Sequence, residues 1–345
     1  MREEILTLLS GQKIGKIPAF SGLIHVTSAG IENEGLLFHE VHRDAGGMAR
    51  AAASTFKLTG LPSAVAPLDM LVEAEALGAQ VDFRENGEYE FPRVKKFLFE
   101  SGVQCLQTLE RLTVDPKSGP TGVLREDFGV QSRGRVKLVC DAISMLKQDI
   151  GDGAVIGSLL PGPYTLLLFL VEPAAMFTEM KKEPQVILDA LFHLSSFLSQ
   201  VGQAYRDAGA DFITIHDMGG SPAFIGPAKY EQFVFPAEKR LMENLPKPRV
   251  LSICGNTNKS MHLLAQTGAD AISVDQTNDL TASRAELKDT LLFGNIDPVA
   301  TLWQGDEAQI TEAVVRAKGS GADAIWPGCD LVPQTPLENI RTMMK

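Results

Sequence analysis

Residues 249–255, RVLSICG, contain a short apolar and β-branched run that stops at Cys254 and a glycine. Residues 322–329, ADAIWPGC, show the same arrangement further along the chain and stop at Cys329. Each run predicts a buried strand, and the glycine or proline beside it predicts a loop at the strand's carboxyl end. The two thiols are therefore expected at equivalent places, where a strand ends and a loop begins.

Strand and helix patterns alternate around these two runs. From residue 154 onward there are six strand patterns, each followed by one or more helical patterns. The six patterns cover residues 154–160, 211–216, 249–254, 271–274, 291–294 and 323–326. Two further strand patterns, at residues 17–24 and 62–67, bring the total to eight. Such alternation, with continuously apolar strands, is typical of a parallel sheet covered by helices on both faces.

Eight such units predict a (β/α)8 barrel, the TIM barrel, formed by residues 1–345 as a single α/β domain. An open, doubly wound sheet is the alternative, and the lack of a glycine-rich dinucleotide turn after any strand pattern disfavours it. A helical pattern near residues 3–10 predicts an N-terminal helical extension. Residues 33–57 predict a helix with Asp44 capping a second piece, and the glycine- and proline-rich residues 105–135 predict a long surface excursion.

The composition is that of an ordinary globular protein, 44% hydrophobic and 22% charged, with a net charge of −11. This acidic charge argues against binding to nucleic acid or to an anionic membrane, because the attraction to phosphate groups would be missing. The N-terminal segment lacks the apolar core of a signal peptide, and no apolar run is long enough to span a bilayer. We therefore expect a cytoplasmic protein whose four cysteines form no disulfide framework.

The predicted strand ends carry most of the residues with chemical potential. In a (β/α)8 barrel the loops after the strands share one face, and catalytic residues gather there. Two cysteines and a histidine with an open fourth position form a catalytic zinc site, and thiolates select zinc over magnesium or calcium. Cys254, Cys329 and His216 are therefore candidate zinc ligands. The alternative is that both cysteines are small buried hydrophobic residues.

Three residues at these strand ends each have two possible roles. His216 is a candidate ligand or acid/base group whose tautomer Asp217 would fix, or else a histidine bonded to nearby backbone. Asp217 is a candidate catalytic residue or a solvated loop acid. Asp69 is a candidate catalytic residue or the N-cap of a helix beginning at residue 70. Cys105 and Cys140 lie in helical patterns and are expected to be buried or inert, and no role is assigned to the histidines outside the strand ends, His39, His42, His193 and His262.

Several segments resemble a known family. They include PLDMLVEAEALGAQVDF (67–83), GADFITIHD (209–217), ICGNTNKSM (253–261), GADAISVDQTNDL (268–280) and PGCDLVPQTPLENI (327–340). Together they resemble the uroporphyrinogen decarboxylase superfamily, and within it the branch of cobamide-dependent methyltransferases, over nearly the whole chain. The resemblance implies the same (β/α)8 fold. It also implies methyl transfer, assisted by zinc, from a methylated corrinoid on a carrier protein to a thiol such as coenzyme M or to another acceptor such as tetrahydrofolate.

Two positions depart from the family patterns. The decarboxylases hold their substrate's carboxylates with an arginine-rich N-terminal signature, whereas this chain has no arginine between Arg2 and Arg43. Asp69 does fall where the decarboxylases keep their pyrrole-binding aspartate. The methyltransferases bind zinc through a His-x-Cys pair and a later cysteine, but the histidine position is Ser252 here. His216 or Asp217 then supplies the third ligand, or zinc binding is weakened or lost.

Three functions follow from these observations. The first is corrinoid-dependent methyl transfer, with part of the excursion at residues 105–135 docking the carrier protein. The second is decarboxylation of a porphyrinogen or a smaller acid, with Asp69 as the key group and no need for metal. The third is a non-catalytic protein that binds a corrinoid or a tetrapyrrole. The feature that separates the first from the others is whether a third ligand reaches Cys254 and Cys329.

Overall fold

The computed structural model describes residues 1–113 and 129–345. Within them, six parallel strands form the central sheet, and each strand pairs with the next in the same direction. A separate antiparallel pair forms a small hairpin beside it. In chain order the strands are β1 (Ser63–Ala66), β2 (Gln80–Asp82), β3 (Arg93–Lys96), β4 (Val155–Pro161), β5 (Phe212–His216), β6 (Arg249–Ile253), β7 (Ala271–Val274) and β8 (Leu291–Phe293), of which β2 and β3 form the hairpin. The central order β1-β4-β5-β6-β7-β8 brings the carboxyl ends of six strands to one edge.

Single bridges continue this order past β8. Phe293 of β8 pairs in parallel with Ala324, and Ile325 pairs in parallel with Ala19. The amide of Ser21 then donates a hydrogen bond to Ser63 Oγ of β1 at 2.9 Å. This arrangement confirms the predicted parallel α/β fold class.

Two of the eight predicted strands are wrong as full strands. Residues 17–24 and 323–326 take their expected places in the order, but they contribute only isolated bridges. Pro18 precedes the bridged Ala19, and Pro327 is itself paired with Ile296; proline has no amide hydrogen to donate to a ladder. Strand β2 pairs only with β3 and lies outside the central sheet.

Helices cover the outer face of the sheet. They are α1 (Arg2–Leu9), α2 (Ser28–Asn33), α3 (Ala45–Thr59), α4 (Val72–Ala76), α5 (Gly102–Thr113), α6 (Val136–Ile150), α7 (Pro163–Leu170), α8 (Pro173–Lys182), α9 (Pro184–Asp207), α10 (Pro222–Ile225), α11 (Pro227–Lys229), α12 (Phe235–Asn244), α13 (Met261–Leu264), α14 (Leu280–Leu287), α15 (Glu307–Gly319) and α16 (Leu337–Met343). Short 3-10 segments occupy Val130–Ser132 and Asn258–Ser260, and π-helical segments occupy Tyr230–Val234 and Pro298–Trp303. No helix in either described range has the length and apolar character needed to cross a membrane.

Helix α3 begins later than the predicted helix, at a cap formed by Asp44. The helix expected at residues 33–57 is wrong in its first part, because α2 ends at Asn33 and α3 begins only at Ala45. The Asp44 side chain accepts a hydrogen bond from the Gly47 amide at 2.5 Å, so Asp44 caps α3 as predicted. The π-helical segment Tyr230–Val234 leads directly into α12.

The predicted excursion at residues 105–135 is wrong at its start, because α5 runs to residue 113 and packs against α9. Residues 114–128 lie outside the described part of the chain. Cys105 is buried on α5, and burial raises the pKa of its thiol far above the usual range. Cys140 is half-buried on α6, where burial raises the thiol pKa to about 11. Both cysteines are therefore inert thiols at neutral pH, as expected.

An aromatic cluster defines the inner face of the sheet. Trp326 packs against Phe20, Phe212 and Phe293 with ring centroids 5.1, 6.3 and 5.0 Å away. Phe212 is the first residue of β5, and side chains alternate along a strand. Thr214 and His216 therefore share its inner face, and His216 reaches the edge where the strands end.

A buried carboxylic acid sits behind the sheet. Glu73 of α4 is fully buried, and its Oε1 accepts a hydrogen bond from the Tyr205 hydroxyl of α9 at 2.9 Å. Its Oε2 has no hydrogen-bond partner among the described residues. Burial raises the pKa of Glu73 from 4.5 to about 8, so the group is protonated in the folded protein at neutral pH.

The free energy of unfolding should therefore fall as the pH rises from 4.5 to about 8. In that window the folded protein holds the Glu73 proton while the unfolded chain releases it, and each pKa unit corresponds to about 1.4 kcal/mol. Glu73→Gln keeps an acceptor for Tyr205 and removes the titration. Denaturant unfolding at pH 5 and pH 8.5 should show a smaller fall for this variant than for the wild type. Glu286→Gln, at an exposed position of α14, is the control, and equal falls in all three proteins would contradict the burial argument.

Candidate metal centre

Three of the predicted site residues come together at the carboxyl edge of the sheet. His216 ends β5, Cys254 directly follows β6, and Cys329 follows the bridged residues 324–327. His216 Nε2 lies 3.7 Å from Cys254 Sγ and 3.9 Å from Cys329 Sγ, and the two sulfurs are 2.6 Å apart. The three ligand atoms all lie within 4.8 Å of one another. The prediction that these residues share one site is supported by this geometry.

The cluster has the donor set of a zinc site. Zinc–sulfur bonds of about 2.3 Å and zinc–nitrogen bonds of about 2.0 Å place neighbouring tetrahedral ligands roughly 3.5–3.8 Å apart. The two nitrogen–sulfur separations, 3.7 and 3.9 Å, are close to this spacing. The sulfurs, at 2.6 Å, would have to move apart by roughly 1 Å for both to bind one ion. Three protein ligands would leave the fourth position open, as in catalytic zinc sites.

The electrostatics of the cluster favour one thiolate. The hydrogen bond from Cys254 and the neighbouring imidazole lower the pKa of Cys329 below its ordinary value. The same sulfur–sulfur hydrogen bond, together with burial, raises the pKa of Cys254. Burial of His216 opposes its charge, but the bond to Cys329 and the charge on that sulfur outweigh burial and raise the imidazole pKa to about 9. These shifts favour a thiolate at Cys329, and the thiolate is the form of cysteine that binds metal.

Asp217 does not orient His216, contrary to the prediction. Its carboxylate accepts hydrogen bonds from the Thr165 amide at 2.9 Å, the Thr165 hydroxyl at 2.6 Å and the amides of Tyr164 and Gly220 at 3.3 and 3.2 Å. The carboxylate is thus committed to the start of α7 and to the turn after β5, and no hydrogen bond joins it to His216 among the described contacts. Asp217 thereby caps the start of α7. A Cβ atom on Gly162 would overlap this carboxyl group, which explains the glycine in the turn after β4.

Two other aspartates anchor the loops that carry the cysteines. Asp275, after β7, accepts a hydrogen bond from the Gly255 amide and holds the turn that follows Cys254. Asp330 follows Cys329, and its Oδ1 accepts a hydrogen bond from the Ile24 amide at 2.8 Å. The positions of both acids next to strand ends were visible in the sequence. Their partners were not, because these backbone amides lie far away in the chain or in another loop.

Asp69 lies in a different cluster. Arg135 binds its carboxylate with two nitrogens, at 2.7 and 3.1 Å, and His42 Nδ1 donates to Oδ2 at 2.9 Å. The Leu71 amide donates to Oδ1 at 2.9 Å. Burial opposes the charge, but the guanidinium outweighs it and holds the pKa of Asp69 far below its usual range. The expected helix N-cap is wrong, because α4 begins at Val72 and its N-cap is Leu71.

Sequence reasoning missed Arg135 and His42. Both are buried beside Asp69, and Arg135 Nε also donates to Glu75 at 2.6 Å. His42 had been assigned no role, and Arg135 lay in the irregular excursion. Neither residue belongs to a motif, so only the folded chain brings them to Asp69. The acceptor positions of this carboxylate are occupied by protein donors, which leaves little capacity to bind a pyrrole.

The fold and the cluster define an α/β protein with a candidate metal centre at the carboxyl edge of a parallel sheet. The sequence model of the uroporphyrinogen decarboxylase (URO-D) family matches residues 1–345, and the chain belongs to this family. The chain is 28% identical over 348 residues to methylcobamide:CoM methyltransferase MtbA of Methanosarcina acetivorans, covering 100% of this chain and 96% of that protein. It is 26% identical over 351 residues to methylcobamide:CoM methyltransferase MtaA of Methanosarcina barkeri, with coverage of 100% and 96%.

A solved structure supports the same fold. The methyltransferase from Methanosarcina mazei superposes with a TM-score of 0.87 at 24% sequence identity, covering 99% of this chain and 96% of that chain. At 24% identity, this structural similarity establishes the fold of the chain.

The Asp69–Arg135 pair yields a stability prediction. Arg135→Met removes the partner of a buried carboxylate, and breaking a buried ion pair in this way destabilises a protein by about 3–5 kcal/mol. Denaturant unfolding at pH 7 should show this loss, and adding Asp69→Asn should recover part of it because no buried charge remains. Arg50→Met breaks the ion pair between the exposed Arg50 side chain and Glu34. It should change the free energy of unfolding little. Equal effects of the two arginine variants would contradict the role given to Arg135.

Proposed function

We propose that this protein is a methyltransferase that moves a methyl group from a methylated corrinoid, held on a carrier protein, to a small thiol. The observation that carries the proposal is the convergence of His216, Cys254 and Cys329 within 4.8 Å at the edge where catalytic residues of such folds gather. The names of the relatives MtbA and MtaA, methylcobamide:CoM methyltransferases, support the donor and point to coenzyme M as the precedent for the acceptor.

The roles of the chain's own residues follow from their positions. Cys254 and Cys329 would hold a zinc ion as thiolates, and His216 would hold it through Nε2, the ring nitrogen that faces both sulfurs. A zinc ion in this place lowers the pKa of a thiol bound at its open position, so that the thiol reacts as a thiolate at neutral pH. Asp217, Asp275 and the backbone they bind keep the adjoining loops in place.

The reaction balances without any further reagent. The acceptor thiol loses its proton, and its sulfur forms a bond to the methyl carbon. The cobalt–carbon bond breaks, and its electron pair stays on cobalt, so the products are a methyl thioether and a reduced corrinoid. The residues around the cluster need only bind the acceptor, keep its sulfur deprotonated and leave the approach to the carrier open.

His216 compensates for the departure at Ser252. In the family pattern the histidine lies two residues before the first cysteine, which is position 252 in this chain. His216 is the register partner of Ser252 on the neighbouring strand β5. Register partners in a parallel sheet point to the same face. The imidazole therefore enters the same layer from the adjacent strand, which supports His216 as the third ligand.

The decarboxylase alternative is weaker on this structure. It needs Asp69 to bind substrate, and the Asp69 carboxylate is committed to Arg135, His42 and the Leu71 amide. No specific observation favours the non-catalytic alternative over methyl transfer. The methyl-transfer assay below separates it from the proposed activity.

The carrier protein has to bring its methyl group above the cluster, so we place its docking surface at the carboxyl edge of the sheet. Phe224 of α10 follows β5 at this edge and is 71% exposed, which suits a contact with a partner. The docking segment expected at residues 105–135 falls partly on residues 114–128, outside the described chain. The part within α5 packs against α9.

The test combines metal content with turnover. Wild-type protein purified without chelators should hold about one zinc per chain and should transfer methyl from methylcobalamin to 2-mercaptoethanesulfonate under anaerobic conditions. Cys254→Ala and Cys329→Ala should lose the zinc and slow transfer roughly 100-fold or more, since metal activation supplies several kcal/mol. Cys140→Ala, at a half-buried position on α6, is the matched control and should keep both the zinc and the methyl-transfer activity. Full activity in both cluster variants would contradict the proposal.

Moving the histidine from position 216 to position 252 tests which residue is the third zinc ligand. His216→Ser should lose zinc, and the double variant His216→Ser/Ser252→His should regain part of it, because it restores the histidine of the family pattern on the adjacent strand. The folded state of each variant is checked by its thermal unfolding. Zinc binding by His216→Ser as tight as that of the wild type would exclude His216 as a ligand.

A further inference from the structure

The inner face of the sheet carries several buried polar atoms that have no protein hydrogen-bond partner among the described residues. They are His216 Nδ1, Ser252 Oγ, Ser273 Oγ, Thr214 Oγ1 and Trp326 Nε1. All five side chains are buried, with at most 1% of their surface exposed. Buried polar groups are almost always hydrogen-bonded, either to protein or to ordered water. A group of such atoms on one face therefore indicates a shared partner.

Three of these residues form one row. His216 of β5 is the register partner of Ser252 on β6, and Ser252 is the register partner of Ser273 on β7. The inner face of β5 is fixed by Phe212, which packs into the aromatic cluster. Because register partners share a face, the two hydroxyl groups lie on the same inner wall as the imidazole.

The spacing of this row suits a bridging water. Neighbouring strands are about 4.8 Å apart. Two hydrogen bonds of about 2.8 Å through one water span at most about 5.6 Å. This backbone spacing is compatible with one water bound to both His216 Nδ1 and Ser252 Oγ, which have no direct hydrogen bond to each other.

We propose that Ser252 is a positioning residue for His216. Its hydroxyl, through one buried water, accepts the Nδ1 hydrogen of the imidazole. The ring is thereby held with Nε2 toward the two cysteine sulfurs. This inference rests on the proposed metal centre. It adds a residue that orients the His216 ring, which Asp217 does not do. Ser252 therefore orients the zinc-binding histidine, whereas in the family pattern the residue at this position is itself a zinc ligand.

The chain offers a matched control. Ser158 of β4 is also fully buried, and its Oγ also lacks a protein partner among the described residues. It lies on the opposite face, because its register partner is Ile213, whose side chain meets Gly202 of α9. Ser252→Ala and Ser158→Ala therefore remove the same group from equally buried positions, and only the first faces His216.

The first measurement is zinc affinity, by competition with a chromophoric chelator. Ser252→Ala should bind zinc about 10–100-fold more weakly than the wild type, which is the usual effect of removing a group that orients a metal-binding histidine. Ser158→Ala should bind as the wild type does. Ser252→Thr keeps the hydroxyl and should restore most of the affinity. Thermal unfolding of each variant confirms that it folds.

The second measurement needs no metal. In the metal-free protein labelled with nitrogen-15, the His216 Nδ1 hydrogen should exchange slowly in the wild type and in Ser158→Ala, and at least ten-fold faster in Ser252→Ala. Equal exchange rates and equal zinc affinities in the two alanine variants would overturn the role of Ser252. A wild-type protein that binds no zinc but shows the Ser252-dependent protection would instead refute the proposed metal centre and leave the positioning of His216 intact.

Discussion

The parallel direction of the strands is the constraint on which the candidate site depends. It brings the ends of β5, β6 and the bridged residues 324–327 to one edge, so that His216, Cys254 and Cys329 meet although they are far apart in the chain. Strand register then decides which side chains share a layer, and it pairs His216 with Ser252. A shift of one residue on either strand would turn the imidazole or its neighbour to the opposite face.

Buried ionisable groups are each compensated in a different way. Asp69 remains charged because Arg135 and His42 bind it, whereas burial keeps Glu73 neutral and the Tyr205 hydroxyl donates a hydrogen bond to it. At the cluster, Cys254 and the imidazole of His216 lower the pKa of Cys329, and Cys329 in turn raises the pKa of His216. Burying such groups uncompensated would cost more free energy than a protein of ordinary stability has. Their arrangement therefore limits which residues can act on a substrate.

The fold and the cluster were largely predictable from sequence, and the partners within the site were not. Apolar runs ending at Cys254 and Cys329 placed both thiols, because a strand end is a local property of the chain. The pairing of Arg135 with Asp69 and the hydrogen bonds of Asp217 depend on residues brought together only by folding. Asp217 comes after the last residue of β5, so strand alternation did not fix its direction, and only the folded chain shows that it binds the start of α7.

The most direct test of the metal centre is the X-ray absorption spectrum of the zinc-loaded wild-type protein at the zinc edge. Coordination by Cys254, Cys329 and His216 predicts two sulfur atoms at about 2.3 Å and one imidazole nitrogen at about 2.0 Å. The fourth atom should be a light one that is replaced by a third sulfur when a thiol acceptor is added. A zinc surrounded only by nitrogen and oxygen atoms, unchanged by the thiol, would contradict the metal centre and the thiol chemistry proposed for it.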